Sequence, residues 1–196
     1  MTGAVDLWGC AAVICVVDNG GILSESGSDE EFYGGETFCK VSITDVDKSC
    51  YLISAVEKVN IAYGDRLVPS SDIASGCWAE YWQHDGAKGG ELGPYIQEAA
   101  EAHEHGHAVY ASTVIRSAIE SSLHLLELRW RIYNWSESVA REEAKNVVDQ
   151  VLVNHIIGFH NAANDSTIAY FNSSPEWIFV RKVENKEGIF WYWRKE

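Results

Sequence analysis

The feature that most constrains this chain is the stretch from Pro94 to Tyr133. After Pro94 it holds no proline and a single glycine, Gly106. Its apolar residues recur every three or four positions. Ile96, Ala100, Ala111, Val114, Ala118, Leu125 and Ile132 form one row, and Ile115, Ile119, Leu123, Leu126, Trp130 and Tyr133 form a neighbouring one. That period predicts one long helix with a wide buried face, or two helices broken near Gly106. Asn134 followed by Glu137 reads as a capping box. A second helix is expected over 137–157, with a stripe of Ala140, Ala144, Val147, Val148, Val151, Leu152, His155 and Ile156. The short link makes the two helices antiparallel neighbours, so facing positions sum to about 270.

The flanks follow another period. Residues 38–44 alternate, with Cys39, Val41 and Ile43 on one face and Lys40, Ser42 and Thr44 on the other, as a half-buried strand does. Further strands are expected at 11–18, 50–57, 77–83, 167–171, 176–183 and 189–194. Residues 24–36 and 84–94 are Gly-rich loops, and Asn185-Lys186-Glu187-Gly188 closes a hairpin. No helix separates consecutive strands, which disfavours parallel βαβ units. The expected class is α+β: a mostly antiparallel sheet packed on an antiparallel helical hairpin and closed by a C-terminal β-hairpin. Residues 1–196 read as a single domain, with a β-rich acidic part at 1–93, the helical hairpin at 94–163 and returning strands at 164–196.

Charge narrows the function. The chain carries a formal net charge of −14. Residues 1–100 hold 5 basic against 16 acidic side chains, and residues 101–196 hold 10 against 13. Such a field repels nucleic acid, so no direct nucleic-acid binding is expected, and it draws in basic protein partners. Residues 4–17 are apolar but too short to span a bilayer, and the first basic residue is Lys40, so neither a membrane span nor a signal peptide is expected. The five cysteines, at 10, 15, 39, 50 and 77, form no Cys-x-x-Cys and read as buried free thiols. These features together predict a cytoplasmic protein.

The densest cluster of ionisable groups is Ala102-His103-Glu104-His105-Gly106-His107. On a helix His103 and His107 share one face and could both bind Zn²⁺, with Glu104 beside them as general base for a metal-bound water. These five residues, His103 to His107, resemble the HExxH motif of zincin metalloproteases. The chain departs from that family at His105, which stands where an apolar residue is usual, and at Glu101, where an uncharged one is. Thr113 rules out the extended motif with a third histidine. Glu127 is too far along the same helix to serve as third ligand. In the antiparallel pairing His107 faces about residue 163 and His160 faces about residue 110, so His160, or Asp165, could complete a helical-hairpin metal site. The segment His107–Leu126, with Arg116 and Glu120 four apart, also resembles helices of the HEPN superfamily, without that family's Arg–His spacing for RNA cleavage.

Three functions remain open. The first is a small acidic binding protein that neutralises a basic protein partner, of immunity or phage-inhibitor type, with no cofactor. Asp29, Glu30, Glu31 and Glu36 would steer the partner, and Trp78, Tyr81 and Trp82 would anchor it. The second is a metal-dependent hydrolase with zinc held by His103, His107 and His160 and with Glu104 catalytic. The third is a HEPN-like helical module without RNase activity.

Overall fold

The computed structural model describes residues 16–18, 35–63, 67–82, 96–186 and 188–196. The chain runs β1 (Val16–Asp18), β2 (Gly35–Asp47), β3 (Leu52–Tyr63), a 3-10 turn (Ser70–Asp72), β4 (Trp78–Trp82), α1 (Gln97–Tyr110), a π-helical segment (Ala111–Ile115), α2 (Arg116–Tyr133), α3 (Glu137–Ser173), β5 (Trp177–Asn185) and β6 (Gly188–Lys195). The fold is α+β. Its contacts divide it into two compact units. Among the described residues the first comprises 16–18, 38–59 and 110–157, and the second comprises 35–37, 60–63, 67–82, 96–109, 158–186 and 188–196.

In the first unit the sheet order is β1-β3-β2, with β1 parallel to β3. Strand β3 alternates as its sequence demands: Ile53, Ala55, Glu57 and Val59 point inward and are buried. Helix α2 buries Ile119, Leu123, Leu126 and Trp130, and the first half of α3 buries Ala140, Ala144, Val148 and Val151. In α2 these belong to the second of the two expected rows; Val114, Leu125 and Ile132 of the first row are exposed, as are Tyr133 and Ile156, so the buried face is narrower than expected. Tyr51 meets Trp130 edge-on, with ring centroids 5.4 Å apart.

The second unit contains an antiparallel sheet of order β4-β6-β5. Its core joins Ala79, Tyr81 and Trp193 from the sheet to Ala99 of α1, Phe171 of α3 and Trp177. Phe171 stacks on Trp193 at 4.2 Å.

Several expectations change. Residues 167–171 are not a strand: α3 continues through them to Ser173, so the returning strands begin at Trp177 and not at 164. The β-branched and aromatic residues there had suggested a strand, but Ala163, Thr167 and Phe171 are spaced by four and all bury on the helix, and that packing outweighs local propensity. Helix α1 passes through Gly106 without a break, and the irregularity is the π-helical segment five residues later. Asn134 does not cap α3. It terminates α2 in the left-handed conformation, with φ 49°, its N–H donating to Trp130 O at 2.8 Å. Ser136 caps α3 instead, its Oγ accepting the Val139 N–H at 3.3 Å, while Glu137 accepts the Lys48 N–H. Among the described cysteines all three are free, as expected, but none is fully buried: Cys39 and Cys50 are half-buried and Cys77 is exposed. No helix among the described residues is long and apolar enough to cross a membrane.

Candidate metal centre

Within the second unit α1 and the C-terminal half of α3 run antiparallel in contact. Gly106 makes this possible. A Cβ there would lie 2.6 Å from Ala162 O and 2.8 Å from Ala163 Cα, so only glycine lets the two helix backbones approach this closely. His103 meets Thr167, as the expected sum of about 270 has it, whereas His107 meets Phe159 and His160 rather than residue 163, and His160 therefore faces 107 rather than 110.

His103 and His107 sit one turn apart on the buried face of α1, their ring centroids 4.8 Å apart and their planes nearly perpendicular. His107 stacks on Phe159 at 4.0 Å and meets the exposed His160 at 5.4 Å. Three imidazoles are therefore clustered, two buried and one at the surface. Among the described residues no group of three or more His, Cys, Asp or Glu side chains, these three imidazoles included, is placed to hold a metal ion as it stands. The exposed His160 also meets Phe159, at 5.8 Å.

Each buried imidazole has its proton placed by what surrounds it. His107 Nδ1 lies 3.0 Å from Phe159 O. A carbonyl only accepts, so Nδ1 carries the hydrogen and Nε2 keeps its lone pair. His103 Nδ1 lies 3.2 Å from the Tyr81 hydroxyl and 3.1 Å from Thr167 Oγ1. Tyr81 donates its only proton to Asn164 Oδ1, and Thr167 donates its own to Ala163 O at 3.0 Å. Neither hydroxyl has a proton left for the ring, so His103 Nδ1 is also the donor. Both rings thus present an unprotonated Nε2, the form in which histidine binds metals.

Electrostatics hold that form. Burial, then the charge of His160, lowers the His103 pKa to about 4. Burial, helped by His103 and His160 and opposed by the Phe159 hydrogen bond, lowers His107 to about 3. Both are neutral at physiological pH. Burial also raises the Tyr81 pKa, so its hydroxyl stays protonated.

Glu104 follows His103 on α1 but points elsewhere. It is buried, and its Oε2 accepts the Thr37 hydroxyl at 2.6 Å, with its side chain against Gly35. Asp165 is exposed on α3. In the first unit Glu127 accepts the Ile53 N–H at 2.8 Å, His155 pairs with Tyr110 at 3.0 Å, and Arg116 pairs with Glu120 at 3.1 Å, an ordinary i, i+4 ion pair.

Of the residues assigned to a partner, only Trp78 and Tyr81 have described side chains. Asp29, Glu30 and Glu31 lie outside the described residues, and only the backbone is described for Glu36 and Trp82. Trp78 is 42% exposed, in register with Arg194 and Ile178 across the sheet. Tyr81 is buried in the histidine network and closed to a partner. Sequence reasoning missed Tyr81, Asn164, Thr167 and Phe159 as members of the site. The spacing His160, Ala163, Asn164, Thr167 is a helical i, i+3, i+4, i+7 row, and extending α3 past 157 would have exposed it. No protein-family model matches the chain, and no curated protein or solved structure is similar to it.

Proposed function

We propose that the protein is a metal-dependent hydrolase whose ion is held by His103, His107 and His160. The observation that carries this reading is the state of the two buried imidazoles: each spends Nδ1–H on a protein acceptor and keeps Nε2 as a lone pair. Burying two imidazoles in this way sacrifices hydration, which the Nδ1 hydrogen bonds and the stacking of His107 on Phe159 offset. Three imidazole donors select a borderline ion such as zinc over magnesium or calcium. A zinc ion held by His103, His107 and His160 would keep a position for water and would lower that water's pKa to about 7. Glu104 is turned to Thr37 rather than to the imidazoles, so the proton of that water is not assigned to it. The test is elemental analysis of tag-free protein. Close to one zinc per chain, lost in His103→Ala and His107→Ala, is the expected result. Metal-free protein at every pH from 6 to 8, after exposure to zinc, would end the proposal.

A second reading is favoured by Trp78. Its exposed indole lies beside Arg194 and Ile178 on one sheet face, the aromatic and arginine composition of protein contacts. On this reading the acidic chain, its cysteines reduced in the cytoplasm, docks a basic protein partner. Binding of a purified basic protein that weakens with salt and with Trp78→Ala would support it.

A further inference from the structure

We infer that Asn164 is a positioning residue that sets the direction of the hydrogen-bond relay behind His103, and so decides which ring nitrogen His103 presents. The inference rests on the metal reading only for its affinity arm.

A tyrosine hydroxyl can either donate to a histidine nitrogen or accept from it. Tyr81 is placed to do either with His103 Nδ1, at 3.2 Å. What removes the choice is the buried Asn164, whose Oδ1 takes the Tyr81 proton. With that proton committed, the Tyr81 oxygen is an acceptor, and the relay runs from His103 Nδ1–H to Tyr81 O–H to Asn164 Oδ1. Thr167 is held in the same sense, because its proton goes to Ala163 O on its own helix. Asn164 bonds to the Tyr81 hydroxyl. It acts on His103 through Tyr81.

The inference makes a prediction that a mere packing role does not. In Asn164→Leu the Tyr81 hydroxyl loses its acceptor and turns its proton toward His103 Nδ1. His103 then shifts toward the Nε2–H tautomer and loses its outward lone pair. Asn164→Asp keeps an acceptor and keeps the relay. The double variant Y81F/N164L has no hydroxyl proton to turn, and Thr167 still accepts, so it returns His103 to Nδ1–H.

The experiment is nitrogen-15 NMR of the histidine rings in metal-free protein, followed by zinc titration of the same samples. Native protein and N164D should show His103 protonated at Nδ1. N164L should show the Nε2–H form gaining population, and Y81F/N164L should restore the native form. Zinc affinity should stay within about threefold for N164D and fall about 10- to 100-fold for N164L. An unprotonated His103 Nδ1 in native protein, or an N164L variant with native tautomer and native affinity, overturns the inference. Should N164L not fold, a tautomer unaltered in Asn164→Ala overturns it equally. Native protein with the expected tautomer but no zinc binding leaves the relay standing and removes the metal reading.

Discussion

Helix α3 serves two units with opposite chemistries. In the first unit α2 and the N-terminal half of α3 bury Ile119, Leu123, Leu126, Trp130, Ala140, Ala144 and Val148, an apolar row. In the second unit α1 and the C-terminal half of α3 bury His103, His107, Asn164 and Thr167. Apolar burial stabilises at roughly 25 cal/mol per Å², whereas a buried polar group only approaches break-even when every hydrogen bond is made. The first pairing is what stability selects. The second spends hydrogen bonds to fix tautomers, which is the feature the metal proposal rests on.

The comparison is most exposed to failure at its largest effect. Trp130→Ala in the apolar half should cost about 3–5 kcal/mol in urea unfolding. His103→Leu in the polar half should cost under about 1.5 kcal/mol, because Tyr81 and Thr167 keep the bonds they donate. Equal costs would erase the distinction. Gly106→Ala comes next: its Cβ would fall 2.6 Å from Ser166 Oγ as well as against the α3 backbone, and a loss of about 1–3 kcal/mol is expected by thermal or urea melts. A native-like melt would show that the close helix approach is not required.

Acid should separate the units. His103 and His107 have folded pKa values of about 4 and about 3, below the ordinary 6.5, so the unfolded chain takes up protons first. Their contribution is intact above about pH 6.5 and is lost as pH falls through 6.5 toward 3. In the first unit burial raises the pKa of Glu57 and Glu127. The folded state there holds its protons longer, so that contribution is greatest at or below the ordinary carboxylate value of 4.5 and is lost as pH rises above it. Native-state hydrogen exchange should therefore show amides of 96–109 and 158–173 losing protection before those of 116–133 as pH is lowered from 7 to 4.5, after correction for intrinsic rates. The reverse order contradicts the assignment. Glu57→Gln should flatten the first unit's dependence, since Glu57 Oε2 has no hydrogen-bond partner among the described residues. The smallest effect expected is at the α3 cap, where Ser136→Ala should cost about 1 kcal/mol.

Much of this was legible in residue spacing. The inner row of α2, the buried face of early α3, the β5–β6 hairpin and the facing of His103 and Thr167 follow from period and link length. Two things were not. The strand-like composition of Thr167–Phe171 hid the end of α3, because packing against Trp177 and Trp193 overrides local preference. Tyr81 was read as a surface anchor, since alternation assigns a residue to one of two faces without saying which is buried. Its partner Asn164 lies 83 positions away in the chain, a distance no local pattern bridges.

The most direct test of the polar pairing is a cobalt(II) titration followed by visible absorption. A single saturating site with the bands of a four-coordinate, nitrogen-rich ion, abolished in His107→Ala and weakened in His160→Ala, is the predicted result. Absence of those bands, or bands that persist unchanged in His107→Ala, would contradict it.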